Sequence, residues 1–193
     1  KSVDVQLKEL LNNVKFLMEK GLYKQGLKVL SKAKKIAYRH EKYPALLEII
    51  HWQKKSGHKY LLNDTSHDGH SLFKEERSVL KRLDNINDYW GINEKIASIK
   101  LKTGRRREVS RKDEIEKTYR SNLLKAERHA LSYEAKYYFW KSHYRYYDHI
   151  GDWNNSILYL KKLLAHMESN PLQIQENIED YIETYYSILN TFM

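Results

Sequence analysis

The chain has no cysteine, only two prolines and seven glycines in 193 residues, and no run approaching the roughly 20 apolar residues that span a bilayer. Each scarcity excludes something. Without cysteine there is no disulfide, no thiolate nucleophile and no cysteine zinc site. With so few breakers, and Lys, Glu, Leu and Arg recurring throughout, long helices are favoured over short strands. Absence of a long apolar run predicts no membrane insertion, and cytoplasm is the default compartment. Lys1 stands where a start methionine would, so the expectation is that something has been removed upstream: a methionine, a signal peptide or a whole region.

Catalytic signatures are missing too. There is no G-x-S-x-G, no phosphate-binding glycine loop, and neither HExxH nor zinc-finger spacing. His58, Asp64, His67, Asp68 and His70 gather in one non-periodic stretch, but a turn followed by a helix start, capped by Ser66, Asp68 or Ser71, accounts for them. Glu114, Glu116, Glu179, Asp180 and Glu183 fall on polar faces with basic neighbours. The expectation is a non-catalytic chain with no cofactor and no metal.

What is present is apolar periodicity and positive charge. Hydrophobic residues make up 41% of the chain, and 35 Lys and Arg against 25 Asp and Glu leave a net charge of +10, which favours an acidic partner. Gly21, Gly57, Gly104 and Gly151 each follow an apolar helical pattern, as a left-handed cap would, at spacings of 36, 47 and 47 residues. Each spacing has room for two helices. The predicted helices cover 3–20, 23–40, 43–56, 68–84, 86–102, 108–128, 131–150, 153–168 and 174–191.

These helices differ in kind. Between 132 and 150, Ala135, Tyr138, Phe139, Ser142 and Tyr146 follow one helical face, and Tyr137, Trp140, Tyr144 and Tyr147 another. Before Gly104 the same doubling pairs Ile86, Trp90, Ala97 and Leu101 with Tyr89, Ile92, Ile96 and Ile99. Single stripes run through Ile115, Tyr119, Leu123 and Ala126, and through Leu72, Val79, Leu80 and Leu83. Alternation of two-faced and one-faced helices is the pattern of stacked helix pairs, in which one helix is sandwiched and its partner faces water.

At this point the residues resemble the tetratricopeptide (TPR) superfamily. Trp140, Tyr147, Gly151, Trp153, Ser156 and Leu160 stand at its motif positions, as do Leu10, Leu17, Gly21, Tyr23, Gly26, Leu30 and Ala33. The motif's adjacent Leu and Gly are replaced by His143 and Tyr144, and by Asn13 and Val14. The resemblance is strongest over 5–40 and 132–168, and the whole pattern is similar to longer bacterial TPR-like proteins. It implies an all-α chain: a right-handed α-α solenoid of about four antiparallel helix pairs plus a C-terminal helix. On this reading 1–193 is a single repeat domain, the N-terminal part of something longer.

Two functions follow as expectations. The first is protein–protein interaction or scaffolding, with a peptide or domain held on the inner-helix surface by Tyr137, Lys141, Tyr144 and Arg145, since Tyr and Arg combine large contact area with a polar end. The alternative is nucleic-acid binding along a basic edge of successive turns, formed by Lys54, Lys55, Lys59, Lys102, Arg105, Arg106 and Arg107. The turn holding Asp148 and Asp152 interrupts that edge.

Overall fold

The computed structural model describes residues 2–60, 69–101 and 108–190. Among them are nine α-helices, two short 3-10 turns and no strand. The helices are α1 (Val3–Glu19), α2 (Tyr23–Arg39), α3 (Tyr43–Tyr60), α4 (Gly69–Leu101), α5 (Glu108–Tyr119), α6 (Tyr133–Ile150), α7 (Trp153–Glu168), α8 (Pro171–Glu176) and α9 (Ile178–Asn190). The all-α expectation holds, and helices pack against their neighbours in the chain: α1 on α2, α2 on α3, α6 on α7, and α7 on α8 and α9. The chain divides into two compact units, Lys1–Leu83 and Asp84–Met193.

In the first unit, α1 opens with Ser2 as N-cap, its hydroxyl accepting from the Val5 amide, and closes at Gly21 with φ 73°. There the Leu22 amide donates to the Leu17 carbonyl at 2.9 Å and the Gly21 amide to Met18 at 3.2 Å, the paired bonds of a Schellman turn. The interior is aliphatic: Leu7, Leu11 and Val14 of α1, Leu30, Ala33 and Ala37 of α2, and Leu46, Ile49 and Ile50 of α3 are all buried. Each large one contributes about 1.5–3 kcal/mol by leaving water. The N-terminal half of α4 closes the unit through Val79 and through ion pairs, Lys34 to Glu75 at 2.7 Å and Lys54 to Glu76.

In the second unit, α6 has two covered faces, as its sequence predicts. Ala135 and Phe139 join a cluster with Tyr89, Leu124 and Ala130, while Tyr137 joins another with Leu160, Leu163 and Met167. Gly151 takes φ 75°, and the Asp152 amide donates to Tyr147 at 3.0 Å, closing α6 with the same turn that closes α1. The two pairs share a register. The buried residues of α2 are Gly26, Leu30, Ala33 and Ala37, and those of α7 are Ser156, Leu160, Leu163 and Met167, each 130 positions later.

Several expectations are corrected. Gly57 is no cap: it lies inside α3, which runs on to Tyr60. Gly104 lies outside the described residues, so of the four glycines Gly21 and Gly151 mark turns. The helices expected at 68–84 and 86–102 are one helix, α4. Nothing between His70 and Trp90 is Gly or Pro, and Asn85 spends its side chain elsewhere, donating to the His129 carbonyl and accepting from the Leu131 amide. On the double face expected before Gly104, Tyr89, Ile96 and Ile99 are buried and Ile86 packs beside Tyr89, whereas Trp90 is 49% exposed. The helix expected over 108–128 stops at Tyr119 and gives way to 3-10 turns at Asn122–Lys125 and Glu127–His129. Ser121 causes the break, its hydroxyl accepting from the Leu123 amide in competition with the helix. The last helix is two, α8 starting on Pro171 and α9 following Asn177.

Candidate functional site

The end of α1 and the middle of α3 repeat one spacing. Lys15, Met18 and Glu19 lie at i, i+3 and i+4, and so do Trp52, Lys55 and Ser56, so each trio shares one helical face. The Schellman turn at Gly21 brings Tyr23, the first residue of α2, beside them. Together these seven residues line a cavity of about 430 Å³. That is the size range of sites that take a side chain or a small ligand.

Its floor is Met18 and Ser56, both buried. The Met18 thioether has room because residue 26 is glycine: a Cβ there would stand 2.7 Å from Met18 Cε. The Ser56 hydroxyl donates to the Trp52 carbonyl at 2.7 Å, with Met18 Sδ 3.4 Å away. Trp52 and Tyr23 are half-buried walls, and Lys15, Glu19 and Lys55 are the exposed rim. The Lys55 ammonium lies 4.9 Å from the centre of the Trp52 ring, a cation–π contact that holds it over the opening. Among the described residues neither Lys15 nor Lys55 has a carboxylate partner. The surrounding charge has the same sign. Residues 1–83 hold 18 Lys and Arg against 9 Asp and Glu, and so carry +9 of the chain's +10.

The residues singled out from sequence sort differently. Lys54, paired with Glu76, is drawn into the first unit, whereas Lys55 lines the cavity. The side chain of Lys59, and all of Lys102, Arg105, Arg106 and Arg107, lie outside the described residues, as do Asp64, His67 and Asp68. No group of three or more His, Asp or Glu able to hold a metal occurs among the described residues.

Tyr137, Lys141, Tyr144 and Arg145 do stand together on α6, but other parts of the chain meet them. Tyr137 is buried and donates to Asp180 of α9 at 3.0 Å, while the Lys141 ammonium donates to the Tyr137 hydroxyl at 2.6 Å and sits 3.8 and 3.9 Å from Asp180 and Glu183. Burial, then the nearby Asp180 carboxylate, raises the Tyr137 hydroxyl far above the usual phenol range, and burial lowers the Lys141 ammonium. Tyr144 packs half-buried against the same cluster. Arg145 faces the Asn93 carbonyl at 3.4 Å and the Glu94 carboxylate at 3.8 Å. A second cavity beside Tyr137 measures about 160 Å³, too small for more than waters or one small group.

Behind Tyr144 lies a ring network that sequence reading missed as a unit. His143 Nε2–H donates to the Leu124 carbonyl at 3.1 Å, which leaves Nδ1 to accept the Tyr119 hydroxyl proton at 2.6 Å. The Tyr119 hydroxyl also lies 3.3 Å from that of Tyr147. Tyr159 stacks on His143, centroids 4.5 Å apart, and Lys162 covers Tyr159. Burial of the ring, against the opposing pull of the Leu124 carbonyl, pushes His143 down to about 4 and keeps it neutral. Asn85, Tyr89 and His143 between them satisfy backbone groups of 123–131 that no helix ladder serves. This is support for an irregular segment rather than a reactive centre.

No protein-family model, curated protein or solved structure matches this chain. The site therefore stands on its own geometry. No helix among the described residues is long and apolar enough to cross a membrane. The sequence holds only a partial signal: a glycine inside a helix, Gly26, implies close approach by another chain segment, but not that a cavity opens beside it.

Proposed function

We propose that this chain is a non-catalytic, TPR-like helical-repeat module that binds a protein partner, with the α1–α3 cavity as its principal contact. The finer architecture, a right-handed solenoid of antiparallel pairs, belongs to the same proposal. The observation that carries it is the cavity: an apolar floor at Met18, ring walls at Tyr23 and Trp52, and at the mouth two lysines that meet no carboxylate among the described residues. The common register of α2 and α7 supports the repeat reading. The inner-helix surface remains the place of binding in this reading, but it moves from α6, whose polar ends are taken up by α9 and α4, to α1 and α3.

Selection of random peptides of about twelve residues on the intact chain tests this. Selected peptides should bind it, measured by fluorescence anisotropy, and should bind a folded Trp52→Ala variant at least about ten-fold more weakly, because the ring wall is lost. Indifference to that substitution would remove the cavity from the reading. The nucleic-acid alternative makes the opposite prediction: labelled mixed-sequence DNA or RNA should bind, with affinity falling steeply with salt and vanishing in the Arg105→Glu, Arg106→Glu, Arg107→Glu variant.

A further inference from the structure

We infer that the occupant of the α1–α3 cavity is an acidic peptide segment that places one apolar side chain, aromatic or branched aliphatic, between Met18, Tyr23 and Trp52 and sets flanking carboxylates against Lys15 and Lys55. This rests on the protein-binding reading and specifies its chemistry.

Three observations lead to it. The cavity is lined by a thioether and two rings, and its one floor hydroxyl, Ser56, already donates to the Trp52 carbonyl. Its interior therefore suits an apolar group that asks for no hydrogen bonds. Next, the mouth carries two ammonium groups and one carboxylate, Glu19. Lys34, Lys42 and Lys54 of the first unit are paired with Glu75, Asp4 and Glu76, whereas among the described residues Lys15 and Lys55 meet no carboxylate. Last, the charge bias of residues 1–83, +9 against +1 for 84–193, attracts an acidic segment to this unit and repels a basic one.

A nucleic-acid strand fits less well. Phosphates recur at every nucleotide and call for a track of cations, whereas the mouth offers two lysines with Glu19 beside them. Lys55 also sits over Trp52, and a base stacking on that ring would have to displace it. A peptide carboxylate meets Lys55 where it already lies.

The test uses the intact chain and three synthetic peptides of about twelve residues, fluorescently labelled: a Glu-rich peptide with one central Phe, the same peptide with Ala for Phe, and one with Lys replacing every Glu. The first should bind. The Ala peptide should bind at least about ten-fold more weakly, the contribution of one buried ring, and the Lys peptide should not bind measurably. Reversal of the exposed rim, Lys15→Glu with Lys55→Glu, leaves the core untouched and should weaken the first peptide by about ten-fold or more, with binding to the native chain falling as salt rises. Equal binding of the Glu-rich and Lys-rich Phe peptides, both lost in Trp52→Ala, would overturn the acidic inference and leave the protein-binding reading in place. Binding of the Glu-rich peptides irrespective of Phe, or unaffected by rim reversal, would overturn the inference as well. Failure of all three while random selection still yields cavity-dependent peptides would sink the acidic inference alone. Failure of both, with mixed-sequence DNA bound, would overturn the two together.

Discussion

The pairs α1–α2 and α6–α7 solve one packing problem with different materials. Both turn on a left-handed glycine, and both bury the second helix at the same four register positions, 130 residues apart. Yet α1 meets its partner with Leu7, Leu11, Val14 and Met18, whereas α6 brings Tyr137, Phe139, His143 and a surround of half-buried Tyr and Trp. The difference follows from how many sides are covered. Asn13, the counterpart of His143, is exposed on α1, while α6 has the 122–130 turns and Tyr119 of α5 against that side. A helix with one covered side can be finished with aliphatics. A helix covered on two sides must also satisfy the irregular backbone lying on it, and rings with a polar end do both.

The comparison can be broken most decisively at its shared core position. Leu30→Ala and Leu160→Ala should each cost about 2–5 kcal/mol, since both side chains are fully buried. Urea denaturation of the two variants measures it, and a cost below about 1 kcal/mol at one of them would show that equal register does not mean equal energetic role.

A second difference is in pH response. His143 is held at about 4 in the folded chain, below its ordinary value near 6.5, chiefly by burial. Between these values the unfolded chain binds a proton that the folded chain refuses. The stabilisation is complete above about pH 6.5 and disappears as pH falls through 4, with a ceiling of roughly 3 kcal/mol. His143→Phe should be less stable at neutral pH but show a flatter decline over this window, while the α1–α2 pair, with Asn13 there, has no counterpart to lose. A His143 imidazole resonance, assigned by its loss in His143→Phe, that titrates near 6.5 in the folded state would refute this.

The turns sharpen the likeness. Gly21→Ala and Gly151→Ala should each cost about 1–2 kcal/mol, as an L side chain is strained at φ 73° and 75°, and neither position has a neighbour within 4 Å to add a clash. The α2–α3 turn uses Glu41 at φ 51° in the same role. Smallest is Gly26→Ala. The atom in the way is the mobile end of Met18, so stability should change by about 1 kcal/mol or less, with better helix propensity offsetting the shift. The displaced thioether has the cavity to move into, so peptide affinity should fall more than stability does. A large loss of stability would mean that Met18 has nowhere to go.

The helical class, the sandwiched nature of α6 and the two glycine turns are legible in the sequence, because apolar period and a left-handed residue are local properties that survive without knowledge of neighbours. Its reading of Gly57 as a cap failed because a glycine permits a turn without forcing one, and that of a break before Ile86 failed because Asn85 directs its side chain to 129–131 rather than to its own helix. The site, by contrast, is made by long-range contacts. Which lysine finds a carboxylate, Lys54 rather than Lys55, and which aromatic helix is already covered, α6 by α9, depend on groups distant in sequence that meet only after folding. The cavity between Met18 and Trp52 is likewise a gap between two helices, and a gap has no residue of its own to be read.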